Sequence, residues 1–333
     1  MTERDAELAA AVDAVRAASR VCIAVQRKLV GVETLEKHDK SPVTVADFAS
    51  QAIVCRMLAA ALPGTRVVGE EDSAALRAPD QAPLAAAVAE RVGEQVGETE
   101  LEQVLDWIDL GGADASGDRY WTLDPIDGTK GFLRGEQYAV ALALIEQGQV
   151  VLGVLGCPNL MAGGGAEAAA GAVFSAVEGR GAEVLALEGV GPRGQPIQVT
   201  RLSSPAEARF CESVESGHSN QDESARIAEQ LGITRGPYRI DSQCKYAAIA
   251  RGDAQIYLRM PTRKDYREKI WDHAAGKLVV ECAGGRVTDA EGRALDFAQG
   301  RTLEHNRGVV ATCGPIHDEV LEVVARVRAA SAR

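Results

Sequence analysis

No two of the seven cysteines in this 333-residue chain stand in C-x-x-C spacing. Cys22, Cys55, Cys157, Cys211, Cys244, Cys282 and Cys313 are scattered along it. That excludes a zinc ribbon and a disulfide framework, and points to a reducing setting. Basic charge is also short: 36 Lys and Arg against 48 Asp and Glu leave a net charge of −12. A protein that coats nucleic acid or binds an anionic membrane is thereby disfavoured. A small anionic ligand is not, because bound metal ions can make one site locally positive. No apolar run is read as membrane-spanning, no secretory signal is read at the start, and no internal repeat is evident. What remains is a globular composition, 46% hydrophobic and 25% charged, with length for one large or two medium domains.

The stretch Trp121-Thr122-Leu123-Asp124-Pro125-Ile126-Asp127-Gly128-Thr129 reads as a short buried strand entering a sharp turn. Pro125 fixes φ and removes a donor, and Gly128 permits a tight bend. Asp124 and Asp127 project from one turn, with the Thr129 hydroxyl two residues on. Two carboxylates on a stiff turn are costly unless a cation neutralises them, and hard oxygen ligands suit Mg²⁺. An ordinary Asx-type turn has the same composition.

In chain order, Leu8, Val12, Val15, Cys22, Val25 and Leu29 recur at helical spacing, which predicts an amphipathic helix over 4–29 with Thr2 as its cap. A second helix is expected from about Val45 to Leu62, with Thr44 as N-cap and Asp47 closing a capping box. A strand at 65–68 ends in Gly69-Glu70-Glu71-Asp72, either a solvated tip or a ligand group at a strand's carboxyl end. Residues 73–118 carry an Ala-rich helix over about 82–107 and a Gly-rich stretch, read as a lid or a linker. Two hairpins follow, 137–146 with 150–157 and 172–177 with 182–186, plus a strand at 197–200. They form an antiparallel sheet with the first two helices on one face. After about residue 203, helices (222–231, 242–251, 272–283, 315–329) alternate with strands (237–241, 254–259, 285–288, 308–312), a second, smaller α/β layer. The expected domains are therefore 1–201, α+β, and 202–333, α/β.

Four further spots could carry chemistry. Asp241-Ser242-Gln243-Cys244-Lys245 lies at a strand-to-helix turn, where backbone amides suit a phosphate and Ser242 could simply cap the helix. Arg259 ends a strand as a fork donor or a salt-bridge partner. Asp272 opens a helix, as N-cap or as metal ligand. His218, in a small-residue loop, could meet a base or merely be exposed. Each reading has a plain structural alternative. The set does not: acids at 47, 70, 124, 127 and 272 all fall at strand ends or helix starts.

Gly69-Glu70-Glu71, then Trp121 through Thr129, then Trp271-Asp272-His273-Ala274-Ala275-Gly276, resemble the signatures of the lithium-sensitive, Mg²⁺-dependent phosphomonoesterases, the superfamily of inositol monophosphatase and fructose-1,6-bisphosphatase. Within it, Lys40–Thr44, Gly128–Gln137, Asp241–Tyr246 and Tyr257–Arg259 with Glu268–His273 are similar to the 3′(2′),5′-bisphosphate nucleotidase branch. The resemblance implies a layered αβαβα sandwich, α+β in class. It implies Mg²⁺ on Glu70, Asp124, Asp127, Asp272 and the Ile126 carbonyl, Asp47 and Thr129 as the pair that activates water, and His218, Ser242, Lys245 and Arg259 on the nucleotide. The implied substrate is a small molecule, adenosine 3′,5′-bisphosphate, with 3′-phosphoadenylyl sulfate also accepted and Li⁺ and Na⁺ as inhibitors. Neither a nucleic-acid polymer nor a membrane is an expected partner. Inositol polyphosphate 1-phosphatase activity is the nearer alternative, and a non-catalytic nucleotide-binding protein the alternative of a different class. The expected compartment is the cytoplasm, or a chloroplast or mitochondrion if a transit peptide is removed.

Overall fold

Thr2 opens the first helix as expected. In a computed structural model of the chain, which describes residues 2–30, 41–163, 170–214, 221–261, 263 and 265–331, α1 runs over Glu3–Val30. The Thr2 hydroxyl accepts from the Asp5 amide at 3.2 Å, and the Asp5 carboxylate accepts from the Thr2 amide at 2.9 Å, a reciprocal cap. Helix α2 spans Ser41–Ala61 and starts earlier than expected. Pro42 sits in its first turn, where a missing N–H is tolerated. Thr44 is therefore inside the helix, not at its cap, and Asp47 lies in the second turn, where it closes no capping box.

Val43–Ala61 is, against expectation, long and apolar enough by composition to cross a membrane. Here it is the central helix of the first half, with Ala46, Ala49, Ala52, Ile53 and Leu58 fully enclosed. What encloses it includes the segment read as a lid or linker. That segment forms α3 (Ala82–Val96) and α4 (Leu101–Asp109), parted at Gly97 with φ of 91°. Both pack on α2 through Val88, Val92, Val104 and Ile108. The single helix expected over 82–107 is two, because Gly97 takes a left-handed φ that a continuing helix forbids.

Seven strands follow one another across the first sheet: β1 (Val67–Gly69), β2 (Arg119–Asp127), β3 (Ala139–Glu146), β4 (Gln149–Met161), β5 (Ala170–Val177), β6 (Gly181–Ala186) and β7 (Gln195–Ile197). β1 pairs with β2 in parallel, and the rest pair antiparallel. Gln147 and Gly148, both with positive φ, make the two-residue turn between β3 and β4. A short helix, α5 (Thr129–Leu133), follows β2.

The second sheet orders β11 (Arg286–Thr288), β12 (Val309–Thr312), β10 (Ile256–Arg259), β8 (Phe210–Glu212) and β9 (Tyr238–Arg239). Its helices are α6 (Gln221–Gln230), α7 (Cys244–Arg251), α8 (Ala274–Cys282) and α9 (His317–Ser331). α1 and α2 cover one face of the first sheet. α7 and α8 fill the space between the sheets, and α9, with α6 against it, lies on the far side of the second. The layers run αβαβα.

One buried side chain ties these layers to the cleft described below. Gln51 of α2 is fully enclosed. Its Nε2 donates to the Glu71 carbonyl at 2.6 Å and the Ile108 carbonyl at 2.9 Å, and its Oε1 accepts from the Glu71 amide at 3.1 Å. A Cβ on Gly69 or on Gly111 would come within 2.4 Å of that amide group, so both glycines are there to make room for it. Gln51→Leu leaves the Glu71 carbonyl and amide without their partner, while the Ile108 carbonyl keeps the Gly111 amide at 2.9 Å. It is expected to cost about 2–3 kcal/mol, read as a lower urea midpoint. A midpoint shifted by less than about 0.5 kcal/mol would show that Gln51 braces nothing.

Candidate active site

Strand β2 sets the cleft. Trp121 and Leu123 face α2 and are buried, each side chain contributing about 1.5–3 kcal/mol to holding the strand down. Asp124 alternates to the other face, as period-two geometry requires. Pro125 has no amide to donate, and the pairing of β2 with β3 slips between Asp124 and Asp127. The released backbone is caught from α2 instead, where the Ser50 hydroxyl donates to the Pro125 carbonyl at 2.9 Å. Gly128 then turns the chain at φ of 92°. A Cβ there would lie 2.7 Å from that of Ser242, so glycine lets the turn of the first half touch the turn of the second.

The other acids converge on this turn. Gly69 pairs with Leu123 in the parallel β1–β2 register, so Glu70 leaves its strand beside Asp124. Asp272 precedes α8, whose cap position is His273. Asp272 is thus not the N-cap, and it lines the cleft. Glu70, Asp124, Asp127, Asp272, Ile126 and Thr129 line one cavity of about 430 Å³. Asp47 is not in its lining but is close enough for its charge to act on Asp124. Among the described residues no hydrogen bond joins Asp47 to Thr129.

The electrostatics are those of an uncompensated anion cluster. Burial, then the charges of Glu70, Asp127, Asp272 and Asp47, push the Asp124 carboxyl well above its ordinary range. Confinement in the cleft, then the charges of Asp272, Glu71 and Asp127, raise Glu70 to about 7. Burial and the Asp272 charge raise Asp127 to about 6, against the pull of Lys245, Arg259 and the Gln243 amide. Asp47 is pushed well up by burial and by the charges of Glu71 and Glu70. Asp124 Oδ1 is buried with no hydrogen-bond partner among the described residues. A buried carboxylate oxygen without a donor costs several kcal/mol, of the order of 1–3 or more, unless a cation meets it. The donor set is all oxygen, as a hard divalent ion requires. The residues therefore fit a metal of the Mg²⁺ type.

The opposite wall of the same cavity is cationic and polar. Ser242 is held at φ of 64°, a left-handed conformation that costs a non-glycine residue about 1–3 kcal/mol. That turn directs the Gln243 amide onto the Asp127 carboxylate. The cap position of α7 is Gln243 rather than Ser242, though the Ser242 hydroxyl still accepts from the Cys244 amide at 3.2 Å. Lys245 is buried, which lowers its pKa while Asp127 opposes the shift. Its Nζ donates to the Ser213 hydroxyl at 3.2 Å. Arg259 pairs with Glu268 at 2.7 Å and with Asp272 at 3.3 Å. Ser242, Lys245 and Arg259 all line the cavity with the acids. His218 lies outside the described residues.

Several residues at the cleft carried no local signal in the sequence. Gln243 ties the second half together through its side chain, from Nε2 to the Trp271 carbonyl at 2.8 Å and from the Gly276 amide to Oε1 at 3.0 Å. Arg301 donates to the Gly69 carbonyl at 2.5 Å and lies 4.7 Å above the Trp271 ring, joining the segments that carry Glu70 and Asp272. Nothing near Arg301 marks it, whereas Glu268 could have been found from its place in the Trp271 signature.

The inositol monophosphatase family model matches residues 3–330. Among curated relatives, the 3′(2′),5′-bisphosphate nucleotidase of Oryza sativa is 48% identical, over 96% of this chain and 93% of that one. That of Schizosaccharomyces pombe is 45% identical over 97% and 96%. Solved structures at lower identity bear on the fold alone. An inositol monophosphatase from Zymomonas mobilis superposes with a TM-score of 0.63 at 17% identity, over 98% of this chain and 100% of that one. The Thermotoga maritima IMPase superposes at 0.60 and 22%, over 95% of each. Matched across nearly its whole length and carrying the acid cluster at the expected positions, the chain belongs to the inositol monophosphatase family.

Proposed function

We propose that this chain is a phosphoric monoester hydrolase that removes the 3′-phosphate of adenosine 3′,5′-bisphosphate, or of 3′-phosphoadenylyl sulfate, releasing phosphate and the 5′-nucleotide. One observation carries the reading: a cluster of acids with an orphaned buried oxygen faces Ser242, Lys245 and Arg259 across a single cavity. The relatives at 45–48% identity, named for that activity, agree with it.

Glu70, Asp124, Asp127, Asp272 and the Ile126 carbonyl would hold Mg²⁺, which supplies charge neutralisation and a lowered pKa for water. The remaining work belongs to side chains. Lys245 and the Arg259 fork bind the nucleotide, aided by the Ser242 turn. Burial lowers the hydration of Lys245 and so strengthens its attraction to an anion. Thr129, exposed in the cleft at the start of α5, takes a proton from the attacking water at its hydroxyl oxygen. Asp47, half-buried behind that wall, receives the proton in turn. A weak base suffices for a water whose pKa is already lowered. The ester oxygen departs as the 3′-alkoxide and takes a proton from solvent water to become the 3′-hydroxyl, without a covalent enzyme intermediate.

With Mg²⁺ present, adenosine 3′,5′-bisphosphate is expected to release phosphate faster than inositol 1,4-bisphosphate, and inositol 1-phosphate slowest, with Li⁺ inhibiting. A preference for either inositol ester would remove the nucleotidase assignment. Thr129→Ala is expected to lower kcat about 10²–10⁴-fold with nucleotide binding retained. Equal turnover in that variant would remove Thr129 from the proton path. If the parent protein binds but never turns over, the chain is a nucleotide-binding module.

The raised carboxyl values give a test without turnover. Glu70 sits near 7 in the folded chain against an unfolded value of 4.5, so between those pH values the folded state binds more protons than the unfolded one. Stability of the metal-free protein is therefore expected to fall as pH rises from about 4.5 to about 7. Mg²⁺ should reverse this, raising the melting temperature more at pH 8 than at pH 5.5. A Mg²⁺ shift independent of pH would mean that the ion does not bind these acids.

A further inference from the structure

Arg259 ends β10 at the cavity wall, and its guanidinium is held from behind. Its Nε lies 2.7 Å from Glu268 Oε2, while Nη2 reaches Asp272 at 3.3 Å and the Tyr266 hydroxyl at 3.4 Å. Glu268 is itself held. His273 Nε2 lies 3.1 Å from the same Oε2, and His273 Nδ1 is 2.6 Å from the Tyr246 hydroxyl. His273 is fully enclosed, and Tyr246 and Glu268 are buried. With Nε2 donating to the carboxylate, Nδ1 accepts from the Tyr246 O–H, so one tautomer satisfies both ring nitrogens. The row Tyr246–His273–Glu268–Arg259 thus leads from the layer between the sheets out to the cleft.

Two features show that the row is built in. A Cβ on Gly276 would lie 2.2 Å from the Tyr246 ring, so α8 uses glycine where the tyrosine passes. Tyr246 also meets Tyr257, from the strand that carries Arg259, edge-on with centroids 5.2 Å apart. Glu268, Asp272 and His273 come within 4.8 Å of one another and look like a metal triad. Both ring nitrogens are already engaged and Arg259 bonds both carboxylates, so the cation between them is the guanidinium.

An arginine beside four carboxylates has a competing place to go. Untethered, its long side chain would fold onto the acids and lose its orientation toward a ligand. We propose that Glu268, backed by His273 and Tyr246, is a positioning residue that fixes the Arg259 fork for the substrate, and so governs nucleotide affinity rather than the rate of ester cleavage. This rests on the phosphatase reading above and assigns work to side chains outside its machinery. Glu268 holds the guanidinium by Nε from behind, and Asp272 meets Nη2 at the edge of the acid cluster.

Glu268→Gln keeps the shape and removes the charge. With adenosine 3′,5′-bisphosphate and Mg²⁺, it is expected to raise KM about tenfold with kcat within about twofold. Tyr246→Phe, which removes only the far hydroxyl, is expected to raise KM about threefold. In an Arg259→Lys background, which has no fork for Glu268 to hold, neither change should add to KM. A folded E268Q protein with unchanged KM overturns the proposal, as does an effect of equal size in both backgrounds. Should E268Q fail to fold, the Tyr246→Phe pair carries the same comparison. If the parent protein does not hydrolyse the bisphosphate, the phosphatase reading fails by itself, and the cycle is read as binding of 5′-AMP by calorimetry. Weakening that needs Arg259 supports the positioning role, and equal binding in all four forms overturns it.

Discussion

Mutual repulsion among carboxylates gathered in one cavity is the constraint on which this structure turns. Asp124, Asp127, Glu70 and Asp272 share that cavity, and the charges of Glu70, Asp127 and Asp272 all raise the pKa of Asp124. Left to relax, such a cluster would spread into solvent or take up protons. It cannot spread cheaply, because the backbone around the acids is fastened elsewhere, so without a cation it takes up protons. Ser50 fastens Pro125, Gln51 fastens Glu71, the Gln243 amide holds Asp127, and Arg301 holds Gly69. The bonds are spent on the segments around the ligands rather than on Asp124 itself, whose Oδ1 has none among the described residues.

The fastening also explains why the two halves must meet here. Gly128 belongs to the first sheet's turn and Ser242 to the second half's, and a side chain on the first would collide with the second. Ser242 accepts backbone strain at this contact, and Arg301, stacked on Trp271, crosses the seam to the Gly69 carbonyl. A site assembled from both halves exists only when α7 and α8 are packed between the sheets. Core packing and site geometry are thus one requirement, and a loss in the middle layer would be felt as a displaced ligand.

Much of this was readable from residue order, and the failures have causes. Apolar stretches in 137–157 and 172–186, interrupted by polar and glycine turns, marked the hairpins, and they are apolar throughout because both faces of β3, β4 and β5 are buried. Thr44 and Asp47 resemble a capping pair, yet α2 starts at Ser41 with Pro42 tolerated in its first turn. Ser242 and Asp272 looked like caps too, since cap and ligand use the same short polar side chains at helix starts. In both places the cap position falls one residue later. The segment 73–118 looked loose because its helices are rich in alanine, yet small residues are what let α3 approach α2. Partners distant in sequence, Gln51 with Glu71 and Arg301 with Gly69, left no periodic trace. Side chains that satisfy backbone across layers are specified by three-dimensional position alone.

A chain of net charge −12 proposed to bind a doubly phosphorylated ligand must concentrate its few favourable interactions. Lys245 and Arg259 are part of the answer, but each is already engaged by acids in the same cleft. The backbone adds to them. Helices α5, α7 and α8 begin just after Gly128, Gln243 and His273. At α7 and α8 part of the first-turn capacity is already spent: the Gln243 amide meets Asp127, the Cys244 amide the Ser242 hydroxyl and the Gly276 amide the Gln243 side chain. The acids and the helix starts therefore hold one another in place. That coupling explains why the ligand-bearing residues sit at helix starts and strand ends instead of in the interiors of elements, for only there can backbone amides and carboxylates share one small volume.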